Sequence, residues 1–182
     1  RTSCSFKIIW AVCFPLTKEG IQQIEKMSQL LKDEKITKAY TSPTLRAKQT
    51  AQIILKEHDV LLHEDERLKE VNFGVLEGLP CSFVDTLHLE SPSWLDDLEM
   101  DYTSYQGENI DDVIIRQQKV LKEIEKISNE EDCIVVVGHG CSLYALIKTL
   151  LKDEKIAFPG NASAYILCKK NNEYKLEKYL RL

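Results

Sequence analysis

Three polar residues stand where an apolar stretch gives way to the next element, the place where open α/β sheets gather their ligands. His139 follows the apolar run 133–137 (CIVVV) and is bracketed by Gly138 and Gly140. Flanking glycines let a ligand approach the backbone, and a helix starting there aims N–H groups and its dipole at an anion. The plain alternative is a tight turn whose histidine caps or packs. Arg46 follows the short segment 37–41 by one turn, in Ser42-Pro43-Thr44-Leu45-Arg46. A cation at a helix N-terminus opposes the dipole unless an anion shares the site. Arg46 is therefore either solvated or an anion ligand. Glu70 sits in Leu68-Lys69-Glu70-Val71-Asn72-Phe73-Gly74. A carboxylate beside Val71 and Phe73 has the character of a proton donor, although Glu66 and Glu77 are equally available and a solvated surface acid is the simpler reading. Cys141, at the same helix start as His139, is a further nucleophile candidate because a helix N-terminus stabilises a thiolate. No Cys-x5-Arg phosphate loop follows it.

The elements that must carry these residues alternate. Residues 6–13 (FKIIWAVC) read as a strand. Thr17 is a good N-cap for a helix with Ile21, Ile24, Met27 and Leu31 on its inner face. Segment 37–41 makes a short strand. Ser42-Pro43 reads as an N-cap with Pro at the first helical position, opening a helix that buries Ala47, Ala51, Ile54 and Leu55. Another short strand covers 60–64. Residues 72–107 hold three of the seven glycines and two of the five prolines, which predicts a loop-rich excursion with one short helix near 81–88. Phe73, Leu76, Phe83, Leu87, Trp94 and Leu98 tie that excursion to the body, beside an acidic run at 96–99. A long amphipathic helix runs from Asn109 to about Ile127, with Val113, Ile114, Val120, Leu121, Ile124 and Ile127 inward. The run 133–137 is a central strand buried on both faces. A helix at about 141–151 and strands near 163–168 and 174–180 complete the pattern. The β–α–β–α order predicts an α/β fold: one three-layer α/β/α sandwich with a mainly parallel sheet, spanning 1–182 as a single domain.

Composition narrows the functions. Of 182 residues, 43% are apolar and 29% charged, enough for a core and too mixed in sign for a disordered chain. The net charge of −5 argues against a nucleic-acid partner. No apolar run approaches the roughly 18 residues of a membrane span, and no signal peptide opens the chain. None of the six cysteines forms a CxxC pair or a zinc spacing. They read as reduced thiols of a cytoplasmic protein, with Cys133 and Cys168 in buried strands. No metal or other cofactor is implied. The oligomeric state is not legible.

Taken together, the ordered segments resemble the histidine phosphatase superfamily, the phosphoglycerate mutase-like group. They are Pro15-Leu16-Thr17, Ser42-Pro43 through Arg46 to Ala51, Leu68-Lys69-Glu70 through Gly74 and Glu77-Gly78, Gly107-Glu108-Asn109, Gly138-His139-Gly140 and Asn161-Ala162-Ser163. The resemblance covers residues 14–180. It implies a phosphomonoester hydrolase working through a phosphohistidine, with no cofactor, on phosphate or a small phosphorylated metabolite. It implies that Arg46 and His139 bind the phosphoryl group, and that Glu70 protonates the leaving oxygen while His139 assists catalysis. Fixed positive donors suit a phosphoryl group whose charge spreads over its oxygens. A positively charged His139 would make anion binding weaken as pH rises.

The superfamily's first strand ends in Arg-His-Gly, and residues 1–14 hold no such motif. The histidines His58, His63 and His88 do not match the nucleophile's place, and His139 matches the second histidine. The chain opens on Arg1 rather than Met, which reads as a fragment, a processed chain or an incomplete reading frame. Either the motif lies upstream of Arg1, or residues 1–13 replace the usual start and FKIIWAV fills the first strand without its catalytic end. On the second reading the chain is a non-catalytic binder of a phospho-ligand or protein, a pseudophosphatase. Substrate selectivity is expected in the 72–107 excursion, whose short length leans away from a mutase.

Overall fold

The computed structural model describes residues 6–12, 17–87, 98–152 and 155–182. Pro15, Leu16, His88, Trp94, Asp96 and Asp97, singled out in the sequence, lie outside them. Strands β1 (Phe6–Val12), β2 (Lys38–Thr41), β3 (Leu62–Glu64), β4 (Cys133–Gly138), β5 (Ala164–Lys170) and β6 (Glu173–Leu180) form one sheet in the order β3-β2-β4-β1-β5-β6. Neighbours from β3 to β1 are parallel; β5 pairs antiparallel with both β1 and β6, so β5 alone runs against the rest.

The apolar run of β4 explains the layering. All six of its residues are buried. Because side chains alternate across a strand, Val135 and Val137 join Ile24, Met27, Ala47 and Ala51 on one face. Ile134 and Val136 join Leu121, Ile124, Leu143 and Leu146 on the other. Helices α1 (Lys18–Leu31) and α2 (Leu45–Ile54) cover the first face, and two helices, Ile110–Lys126 and Gly140–Leu151, cover the second. The result is the three-layer α/β/α sandwich with a mainly parallel sheet.

Between the layers' second and third crossovers lies the loop-rich excursion, with 3-10 turns at Glu66–Leu68, Gly74–Leu76, Asp85–Leu87 and Thr103–Tyr105 and one short helix α3 (Cys81–Val84). The helices after it are α4 (Ile110–Lys126) and α5 (Gly140–Leu151). The excursion has its own small core of Val71, Leu76, Met100 and Tyr102 against Ile110 and Val113 of α4. Gly74 closes it: its φ is +60°, and a Cβ there would sit 1.9 Å from the Tyr105 carbonyl oxygen. Only glycine fits that approach.

Four details depart from the sequence expectations. The helix after β2 starts at Leu45 with Thr44 as its N-cap residue, and Ser42 turns its hydroxyl to His139 instead. Ile21 is exposed in the opening turn of α1, and Ile127 is exposed as the C-cap residue beyond the last turn of its helix. Phe83 is 50% exposed, since the small excursion core closes without it. Cys168 is in a disulfide rather than a reduced thiol. Cys133 is free and buried, and burial pushes its thiol up to about 12. Among the described residues no helix is long and apolar enough to cross a membrane.

Candidate active site

The cleft opens at the carboxyl ends of β2 and β4. It encloses about 530 Å³ and is lined by Thr44, Arg46, Glu70, Glu108 and Arg116 among others. β4 ends at Gly138, and His139 is the N-cap residue of α5 in an extended conformation. Its side chain makes no capping bond and projects toward β2. There His139 Nε2 lies 2.9 Å from the Ser42 hydroxyl and 3.4 Å from that of Thr44. Arg46 Nη2 lies 3.2 Å from His139 Nδ1.

These contacts assign the tautomer. A guanidinium only donates, so Nδ1 accepts from Arg46, and Nε2 carries the proton and donates to Ser42. The electrostatics agree. His139 is 1% exposed, and burial, with the Arg46 and Arg116 charges nearby, lowers its pKa to about 3. His139 is therefore neutral near pH 7 in the unliganded chain. This corrects the expectation of a charged His139 that loses its proton as pH rises: the low-dielectric pocket has already removed it.

Glu70 approaches from the other side. Its carboxylate accepts hydrogen bonds from the backbone N–H groups of Cys141 at 3.2 Å and Ser142 at 2.8 Å. It also accepts from the Val71 N–H at 3.0 Å. Glu70 thus occupies the N-terminus of α5, where unpaired amides and the dipole favour an anion. The setting is a backbone cradle rather than the apolar surroundings that Val71 and Phe73 suggested. Arg46 and Glu70 line one cleft, and His139 is buried directly behind it, in contact with Arg46 and Thr44 of its wall. Of the remaining histidines, His58 lies just after α2, and His63 in β3 packs against Tyr40 with ring centroids 5.5 Å apart; neither lines the cleft.

The sequence profile of the histidine phosphatase superfamily (branch 1) matches residues 11–180. The chain belongs to the histidine phosphatase superfamily. The chain is 32% identical over 151 residues to a probable phosphoglycerate mutase GpmB of Erwinia tasmaniensis, a match covering 81% of this chain and 66% of that protein. A probable phosphoglycerate mutase GpmB of Yersinia pestis is 30% identical over 140 residues, covering 75% and 63%. The chain thus spans just under two thirds of the length of these relatives. Among solved structures, a phosphoglycerate mutase from Bacillus anthracis aligns with a TM-score of 0.75, 22% identity and coverage of 95% and 92%. A mycobacterial glucosyl-3-phosphoglycerate phosphatase complexed with inorganic phosphate aligns at 0.77, with 21% identity and coverage of 97% and 96%. These two likenesses speak for the fold.

In the superfamily's terms, β1 fills the first-strand position. Its last residue, Val12, pairs with Gly138, so the chain leaves β1 beside His139. The sequence there, Cys13-Phe14-Pro15-Leu16, carries neither histidine nor arginine.

Sequence reasoning missed Arg116. Its guanidinium, 17% exposed, donates to the carbonyls of Arg67 at 2.6 Å, Lys69 at 2.8 Å and Glu70 at 2.8 Å. It also pairs with Glu108 through Nε at 2.9 Å and Nη2 at 3.0 Å. Glu108 in turn accepts from the Asn72 N–H at 3.0 Å. One side chain therefore fixes the backbone on both sides of Glu70. The signal was present: Arg116 lies three residues after Val113 and four before Val120, on the inner stripe of α4, where an unexplained cation implies a buried partner. Arg116→Ala removes five bonds and strands Glu108. The expected loss is about 2–4 kcal/mol in urea unfolding. Arg116→Lys recovers less than half of it, because an ammonium cannot span the same fork. A loss under about 0.5 kcal/mol would show that the loop holds itself.

Proposed function

We propose that the chain binds the phosphoryl group of a phosphate or small phosphorylated metabolite in this cleft, as a phosphomonoester hydrolase-type site within a single domain. Arg46 supplies the fixed positive charge. His139 turns its Nε2–H from Ser42 to a phosphoryl oxygen. Glu70 carries a proton to the leaving oxygen, a role for which it must first take that proton from solvent. The observation that carries this reading is the Arg46–His139 contact of 3.2 Å at the carboxyl ends of two parallel strands, with Glu70 on the adjoining helix start. The Arg46 charge faces a neutral ring, and a bound anion supplies its countercharge.

The same cleft supports a second reading, a non-catalytic phospho-ligand binder. The observation favouring it is the stretch Cys13–Leu16, which leads away from the end of β1 without a histidine to form the phosphohistidine. Binding is common to both readings. A cytoplasmic location agrees with the free, buried Cys133 thiol, while the Cys168 disulfide counts against a reducing compartment.

Titration with inorganic phosphate, followed by calorimetry or NMR, tests the site. Millimolar or tighter binding is expected, weakening with salt and accompanied by proton uptake, because a phosphate dianion beside His139 opposes the forces that keep it neutral. Arg46→Ala combined with His139→Ala should lower affinity at least about tenfold. Equal binding by the double variant would remove the proposal.

A further inference from the structure

The cleft also carries information about the rest of the ligand. Beyond Arg46, the described cations lining it are Lys69 and Arg116. Lys69 closes on Glu66 at 2.5 Å, and Arg116 is held by Glu108 and three carbonyls. Each already faces a carboxylate, Lys69 across an exposed ion pair and Arg116 across a part-buried one. Four carboxylates line the same space, at Glu66, Glu70, Glu77 and Glu108. Glu77 makes no ion pair among the described residues. It accepts one hydrogen bond, from the Phe73 N–H at 3.2 Å, which fixes its carboxylate at the cleft wall. The sequence extends the asymmetry. From Glu70 to Ile115, the stretch that builds the excursion and opens α4, there are eleven Asp and Glu residues and no Lys or Arg.

We propose that this cleft selects phosphomonoesters whose alcohol portion carries an ammonium group, and disfavours those whose alcohol portion carries a carboxylate. The inference rests on the phosphate site proposed above. The phosphoryl end meets Arg46 and His139. The other end of the ligand faces carboxylates, of which Glu70 and Glu77 make no ion pair among the described residues, and only Glu77 stands clear of the helix start that holds Glu70. A cationic alcohol gains attraction there, and a carboxylate meets repulsion that Lys69 and Arg116, each already facing a carboxylate, offset only in part. A cleft with low-dielectric walls concentrates such a field.

The test is calorimetric titration of the purified chain with four ligands: inorganic phosphate, phosphoethanolamine, glycerol 3-phosphate and 3-phosphoglycerate. Phosphoethanolamine should bind about tenfold or more tighter than 3-phosphoglycerate at low salt, with glycerol 3-phosphate between them. The ratio should shrink as ionic strength rises, since exposed charges are screened within about 10 Å at 0.1 M salt. Glu77→Gln keeps an oxygen for the Phe73 N–H and should narrow the ratio about threefold. Equal or tighter binding of 3-phosphoglycerate, alongside measurable phosphate binding, overturns the selectivity alone. So does a ratio that Glu77→Gln leaves unchanged. Failure of all four ligands, inorganic phosphate included, overturns the phosphate site and the selectivity with it.

Discussion

The purified 182-residue chain is expected to hydrolyse a generic aryl phosphate at least about a thousandfold more slowly than a version carrying Arg-His-Gly inserted before Pro15. Covalent catalysis needs a nucleophile in line with phosphorus. The described histidine that touches the cleft wall, His139, has both ring nitrogens engaged, by Arg46 and by Ser42. In the roles proposed above Glu70 carries a proton and Arg46 stabilises charge, and neither forms the intermediate. Such a remnant retains only the part of the rate that comes from binding and electrostatics. Substantial turnover by the unaltered chain would show that a working nucleophile is in place without the inserted motif, and acid-labile phosphate trapped on His139 would identify it. Trapping of acid-labile phosphate on the inserted histidine, after rapid quenching, would show that the rest of the machinery is competent.

The second large effect is on stability against acid. His139 has a pKa of about 3 in the folded chain and about 6.5 when unfolded. As pH falls below about 6.5 the unfolded state takes up the proton first, so folding loses free energy until pH approaches the folded value. The contribution is complete above pH 6.5 and declines through the window down to pH 3. At roughly 1.4 kcal/mol per pH unit, wild type should lose on the order of 3 kcal/mol by pH 4 that a His139→Gln variant keeps. Carboxylates titrate alike in both proteins and cancel in the difference. Urea unfolding at pH 7.5, 5 and 4 reads it directly. Parallel pH slopes would mean that His139 is solvated or charged in the native state.

The layers and the strand–helix alternation were legible because periodicity reports burial. CIVVV could only be a strand covered twice, and Thr17 starts α1 as expected, its hydroxyl accepting from Gly20. Arg46, Glu70 and His139 stood out because each follows a strand or matches an ordered motif, and the fold does bring Arg46 against His139 and Glu70 against the helix start that follows it. What escaped was the wiring between them. Ser42 looked like a helix cap because local sequence favours that use; its service to His139, 97 positions away, is a tertiary fact. The charge state of His139 escaped for the same reason, since burial and the Arg46 contact arise only on folding. Arg116 was readable as a misplaced charge on an apolar stripe, but its three carbonyl partners lie 46–49 positions away, in an irregular loop that no periodicity describes.

The place of β1 in the sheet bears on how the chain is made. β1 joins the parallel half, β3-β2-β4, to the antiparallel half, β5-β6, and its partners lie far along the chain: Lys7 pairs with Cys133, and Phe6 with Lys169. A ribosome delivers β1 first, yet neither neighbour exists until more than a hundred further residues have been added. At roughly 5–20 residues per second, an apolar ribbon waits for seconds with both edges unpaired. Edge pairing of that kind is what chaperones intercept and what aggregates recruit. The sheet can close only when β5 leaves the exit tunnel, so a truncation that removes residues 164–180 deprives the first strand of one of its two neighbours.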